Sequence, residues 1–136
     1  MLSSEIIKDL LVIIAQAADV CMKPWQHSVV DRTPVYENKP LEDQLNDLIL
    51  RIECRTKEGK RCPENDLELE IYRSGKELNL IFSWSEKPYQ PMLWYGNHSV
   101  WLDANNGRRC KQPLDGAQLE YLARRLSALF VSHEES

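Results

Sequence analysis

The sequence predicts an α+β fold, a two-layer sandwich of about five antiparallel strands in a meander with N-terminal and C-terminal helices packed on one face, in the order α-β-β-β-β-β-α. Three observations predict it. Apolar residues recur at helical spacing near the two ends, at Ile6, Leu10, Ile13, Ala17 and Cys21 and again at Leu119, Leu122, Leu126 and Leu129 or Phe130. Between them the period falls to two, and each run is joined to the next by turn chemistry rather than by a crossover helix. With 136 residues, 43% apolar and 28% charged, the chain reads as one domain, 1–136, whose core needs no metal or disulfide.

Ser3 or Ser4 can cap the first helix and Glu5 favours its N-terminus. Ile7, Leu11 and Ile14 widen its apolar stripe, and Pro24 stops it near Met22. Residues 23–40 hold Pro24, Pro34 and Pro40 with Trp25, His27 and Tyr36 and show no sustained period; they read as a long Pro-rich loop with room for a short strand around Val29 or Val35. Leu48, Leu50, Ile52 and Cys54 then share one strand face, and Arg51, Glu53 and Arg55 the other. After a loop containing Gly59, Pro63 and Asn65, the runs Leu67, Leu69, Ile71 and Leu78, Leu80, Phe82, Trp84 form a hairpin around Ser74-Gly75.

Residues 92–95 and 99–103 read as two short strands, with Gly96-Asn97 matching a type II′ hairpin and Asn105-Asn106-Gly107 a further turn. Asp115 with Gln118 makes a capping-box pattern for the last helix, and Leu114 is positioned to staple onto Leu119. Residues 132–136 read as a disordered tail.

Charge and cysteine usage weigh against several classes. There are 17 basic and 21 acidic residues, a formal charge of −4, which has the wrong sign for a protein that displaces counterions from nucleic acid. Glu5, Lys8, Asp9, Gln16 and Asp19 interrupt every window long enough to span a bilayer. The start lacks the positive n-region of a secretion signal, so a cytoplasmic protein with reduced thiols is expected. Cys21, Cys54, Cys62 and Cys110 show no C-x-x-C spacing, so no metal and no cofactor are expected. Cys62, before Pro63, reads as the exposed thiol.

Catalytic strings are lacking: there is no G-x-S-x-G, H-E-x-x-H or Gly-rich phosphate loop. Aromatics are the uneven feature, six of eleven falling between Phe82 and Trp101. Phe82, Trp84 and Trp94 read as core by alternation. Tyr72, Tyr95 and Trp101 run out of phase with them and, with Ile81 and Leu93, are expected on the opposite, open sheet face, where large rigid side chains suit a protein partner. A basic group of Arg108, Arg109, Lys111, Arg124 and Arg125 is a second surface, suited to an anion or an acidic partner or simply to solvent, with Glu120 spaced to pair with Arg124. A third candidate is a pocket between sheet and helices, gated by residues 23–40, with Trp25, His27, Trp84, Tyr89 and Arg109 as the first candidates for its lining.

In outline this order is similar to the secretion chaperones of type III systems, small acidic proteins built from a helix, antiparallel strands and closing helices. Ser85 to Pro91 stand where those chaperones carry a mid-sheet helix. The expected function is therefore non-catalytic: a protein-interaction or chaperone-like module using the open sheet face, with a protein partner or a second copy of itself. The alternative is a small-molecule-binding protein or enzyme using the pocket. An enclosed cavity with convergent polar groups would favour the second, and a flat exposed aromatic patch the first.

Overall fold

A computed structural model describes residues 4–34 and 47–135, with side chains over 8–34 and 47–130. Helix α1 (Ser4–Cys21) is followed by strands β1 (Gln26–Asp31), β2 (Asp47–Arg55), β3 (Leu67–Ser74), β4 (Glu77–Trp84), β5 (Met92–Tyr95) and β6 (Ser99–Leu102), and helix α2 (Gly116–Glu135) follows them. The strands form one sheet in sequence order, each neighbour pair antiparallel. Both helices lie against it, α1 on β1 and α2 on β4 and β5, and they touch each other. The α+β sandwich is thus the fold.

The long middle strands behave as their alternation dictates. Leu48, Leu50, Ile52 and Cys54 of β2, Leu67, Leu69 and Ile71 of β3, and Leu80 and Phe82 of β4 are buried. On the helix side they meet Ile14, Ala17 and Ala18 of α1 and Leu119, Leu122, Ala123 and Leu126 of α2. Small alanines let α1 approach the sheet closely.

Four expectations are corrected. The Pro-rich segment is not all loop: Gln26–Asp31 is an edge strand paired with β2, Val29 opposite Ile52 and Val30 opposite Arg51, because two β-branched residues suit the pleat and β2 offers an unpaired edge. Its later part, Val35, Tyr36 and Pro40 included, lies outside the described residues, as does Ser3. The expected tail from 132 is instead helical through Glu135, no Gly or Pro after Gly116 being present to stop it. Leu114 makes no staple; it is fully exposed while Leu119 is buried, since the chain turns at Pro113 and the Gly116 amide bonds the Pro113 carbonyl at 2.9 Å. Cys62 is buried at 8% exposure, its thiol 3.7 Å from the Lys60 carbonyl oxygen.

The largest correction concerns β5 and β6. Leu93 stands opposite Phe82 and Trp101, and Tyr95 opposite Leu80. Leu93 and Trp101 are buried, and Tyr95 packs against the core. Trp94 lies on the open face, 39% exposed. The pairing of Tyr95 with Ser99 leaves a three-residue connection, Gly96 to His98, and Gly96 is not among the glycines with positive φ, so the type II′ turn is absent. Gly96 is small for another reason: a Cβ there would sit 2.9 Å from Asn79 Oδ1. In strands of four residues, a shift of one reverses every side chain.

One buried carboxylate ties the loop between β2 and β3 to the sheet. Asp66 is 0% exposed. Its Oδ1 accepts from the Cys54 amide at 2.7 Å and Arg61 Nη1 at 2.9 Å. Its Oδ2 accepts from Arg61 Nη2 at 2.7 Å and Arg51 Nη2 at 2.9 Å. Burial pushes this carboxyl up, but the hydrogen bonds from Arg61, the Cys54 amide and Arg51 outweigh it and hold it below its usual value. The Asp66 carbonyl also accepts from the Ser85 amide at 3.1 Å, which joins the start of β3 to the Ser85–Pro91 connection. That connection consists of turns and bends.

Candidate functional site

At the end of the sheet where β1 and β3 begin and β2 and β4 finish, the helix layer leaves a cleft of about 410 Å³. Its walls come from distant parts of the chain: Trp25 from the α1–β1 turn, His27 from β1, Trp84 from β4, Trp101 from β6 and Gly116 from the first turn of α2. The volume lies in the range of small-molecule sites.

Trp101 builds one wall and sets the position of α2. Its indole Nε1 donates to Glu120 Oε1 at 2.6 Å, and a Cβ on Gly116 would come 2.8 Å from its Cζ2. The helix can therefore dock on the ring only where there is no side chain. Glu120 is spent on this contact; no ion pair to Arg124 is formed among the described residues.

His27 is the polar group best defined by the fold. Strand pairing opposite Cys54 turns it toward α1, where its Nδ1 lies 2.9 Å from Asp19 Oδ1. The imidazole is 1% exposed and the carboxylate 43%. A carboxylate accepts only, so Nδ1 carries the proton and donates. Nε2 has no protein partner among the described residues.

The four tryptophans divide the same way. Trp94 Nε1 donates to Asn79 Oδ1 at 3.1 Å, and Trp101 donates to Glu120. Trp25 and Trp84, both at the cleft, have no acceptor among the described residues. Lys87 Nζ lies 5.8 Å from the Trp84 ring centroid, within cation–π reach. Cys54 also borders the cleft, but burial first, then the neighbouring Cys62 and Asp66, push its thiol up to about 11. It is a wall, not a nucleophile.

Of the expected pocket residues, Trp25, His27 and Trp84 border the cleft and Tyr89 does not; it is 65% exposed and outside the cleft. Arg109 is also outside it. Of the expected open-face group, Tyr72 and Ile81 are on that face, half-buried, whereas Tyr95 and Trp101 are on the helix side. The face instead carries a cross-strand row, Ile49, Glu70, Ile81, Trp94 and Val100. Burial, then the charge of Asp47 and a hydrogen bond with it, push the Glu70 carboxyl up.

Arg108, Arg109 and Lys111 lie before α2 and Arg124 and Arg125 on it; all five are exposed, and none pairs with a described carboxylate. Sequence reasoning missed Asp19, which is eight residues from His27 and on a different element, and Trp101 as a cleft wall. Only a fixed strand register brings either into view.

Among the described residues, no helix is long and apolar enough to cross a membrane, no group of three metal-binding side chains converges, and the four cysteines are free. The chain belongs to the family described as a domain of unknown function, DUF8659, whose model matches residues 11–129. No curated protein and no solved structure matches it.

Proposed function

We propose that this member of the DUF8659 family is a cytoplasmic binding protein for a small, ring-bearing organic molecule, held in the cleft between the sheet and the start of α2. The observation that carries the reading is the combination of three tryptophans with a histidine, held at one ring nitrogen by Asp19, around about 410 Å³ of space. Apolar walls supply the binding energy and a few fixed polar groups supply orientation. The free cysteines suit a reducing compartment.

Thermal-shift screening against a metabolite library tests it. A ligand at about 100 times its dissociation constant adds about 2.7 kcal/mol to the folded state, and Trp84→Ala should abolish the shift while Trp94→Ala, on the other face, should keep it. A library that shifts neither protein would overturn the reading.

The second reading is docking of a protein partner, or of a second copy, on the open sheet face. It is favoured by the row of Ile49, Ile81, Trp94 and Val100 and by the exposure of Trp94. Trp94→Arg should then release a stoichiometric partner in co-purification from the native host, or halve the mass measured by light scattering. Unchanged mass and an unchanged set of co-purifying proteins would remove it.

A further inference from the structure

His27 differs from the other polar groups at the cleft. Asn65 and Gln90 are half-exposed and Gln118 is exposed, so water can serve their amides whatever occupies the cleft. The imidazole is 1% exposed. One of its nitrogens is committed to Asp19 at 2.9 Å, and the other is left for the cleft that the residue lines. A carboxylate on one ring nitrogen fixes the tautomer, which makes the second nitrogen of the neutral ring an acceptor of known direction. Trp25, Trp84 and Trp101 line the same cleft, and a lining rich in indoles favours a flat ring system over a flexible chain.

Resting on the ligand-binding reading, we propose that His27, oriented by Asp19, is the polar anchor of the cleft: its Nε2 accepts a hydrogen bond from an N–H or O–H group on the edge of a flat ring packed among Trp25, Trp84 and Trp101. Asp19 is the positioning residue; it touches the imidazole and not the ligand. A ring lacking the donor would leave a desolvated acceptor unmatched, which costs more than an ordinary hydrogen bond contributes. The ligand class is therefore a planar heterocycle or phenol with a ring-edge donor, and the hydrocarbon of the same shape is discriminated against.

The test uses two probes of one shape, indole and indene, which differ by an N–H against a CH₂. Dissociation constants come from NMR titration of the full chain at mildly alkaline pH, with the imidazole ¹⁵N signals followed in parallel. Indole should bind about tenfold or more tighter than indene, and the Nε2 signal should move with indole alone. Asp19→Asn, at the half-exposed rim of α1, should keep the fold and bring the ratio toward one, because an amide can donate to Nδ1 and move the ring proton to Nε2. The altered tautomer would be visible in the ¹⁵N spectrum, a change that a merely structural role would not produce. In His27→Phe both probes should bind alike. Equal binding of the two probes to the unaltered protein would overturn the anchor while leaving the cleft as a binding site. Binding of neither would overturn the ligand reading and the anchor with it.

Discussion

Asp66 and the His27–Asp19 pair sit at the same end of the sheet and use similar chemistry to opposite ends. Asp66 has both oxygens taken, by an amide and two guanidinium groups, and no exposure. The His27 side chain is 1% exposed, but only one of its nitrogens is partnered, and its carboxylate is half in water. A fully satisfied buried charge holds structure together, whereas a fixed polar atom left without a protein partner beside an open volume is available to a ligand. The loop pinned by Asp66 also carries Asn65 to the cleft, so the satisfied site builds the wall of the unsatisfied one.

The sharpest way to break this comparison is to remove each carboxylate. Asp66→Ala should lower the unfolding free energy by about 3 kcal/mol, because two arginines and an amide lose their acceptor; urea denaturation reads this as a lower midpoint. Asp19→Ala, a half-exposed partner, should cost under about 1 kcal/mol in the same assay. Equal costs would mean that both pairs are structural.

Gly116→Ala comes next, at about 1–2 kcal/mol of destabilisation. Its Cβ would meet Trp101 Cζ2 at 2.8 Å and Gln112 Cγ at 2.6 Å; the Gln112 side chain can move, but the buried ring cannot. Thermal denaturation and a change in the near-ultraviolet signal of Trp101 would register it, and an unchanged melting temperature would show that α2 is free to shift.

pH separates two carboxylates further. The folded Asp66 carboxyl lies below its ordinary 3.8, so its contribution is present above that value and is lost as pH falls through the folded one. Asp66→Asn should therefore flatten the acid limb of stability against pH. Glu70 is the reverse. Its carboxyl is raised above 4.5, so stability is lost as pH rises through the folded value, and Glu70→Gln should gain about 0.5 kcal/mol at neutral pH and nothing in acid. Chemical denaturation at several pH values measures both, and a destabilised Glu70→Gln would contradict the stated cause.

Legibility followed strand length. The nine residues of β2 repeat their alternation often enough to set their own phase, and Leu48, Leu50, Ile52 and Cys54 were readable as core from that alone. The four-residue strands β5 and β6 contain two residues per face, so their phase depended on the register of β5 against β4, reached across the aperiodic connection of residues 85–91. That register put Tyr95, Leu93 and Trp101 together on the helix side instead of the open face, and Trp94 on the open face. For the site, Trp25, His27 and Trp84 were readable as candidates because bulky or titratable residues fall in or beside an aperiodic segment. Asp19 was not, since it looked like any polar position on an amphipathic helix.

Local periodicity and turn chemistry by themselves determined two terminal helices, an antiparallel meander and the apolar side of its longer strands, because those properties depend on neighbours a few residues apart. Tertiary structure decided which side the last two strands turn to the helices, that Asp19 meets His27, and that three tryptophans surround one volume. These depend on register and on helix docking, where contacts between residues far apart in the chain choose among arrangements that local spacing leaves equal in energy.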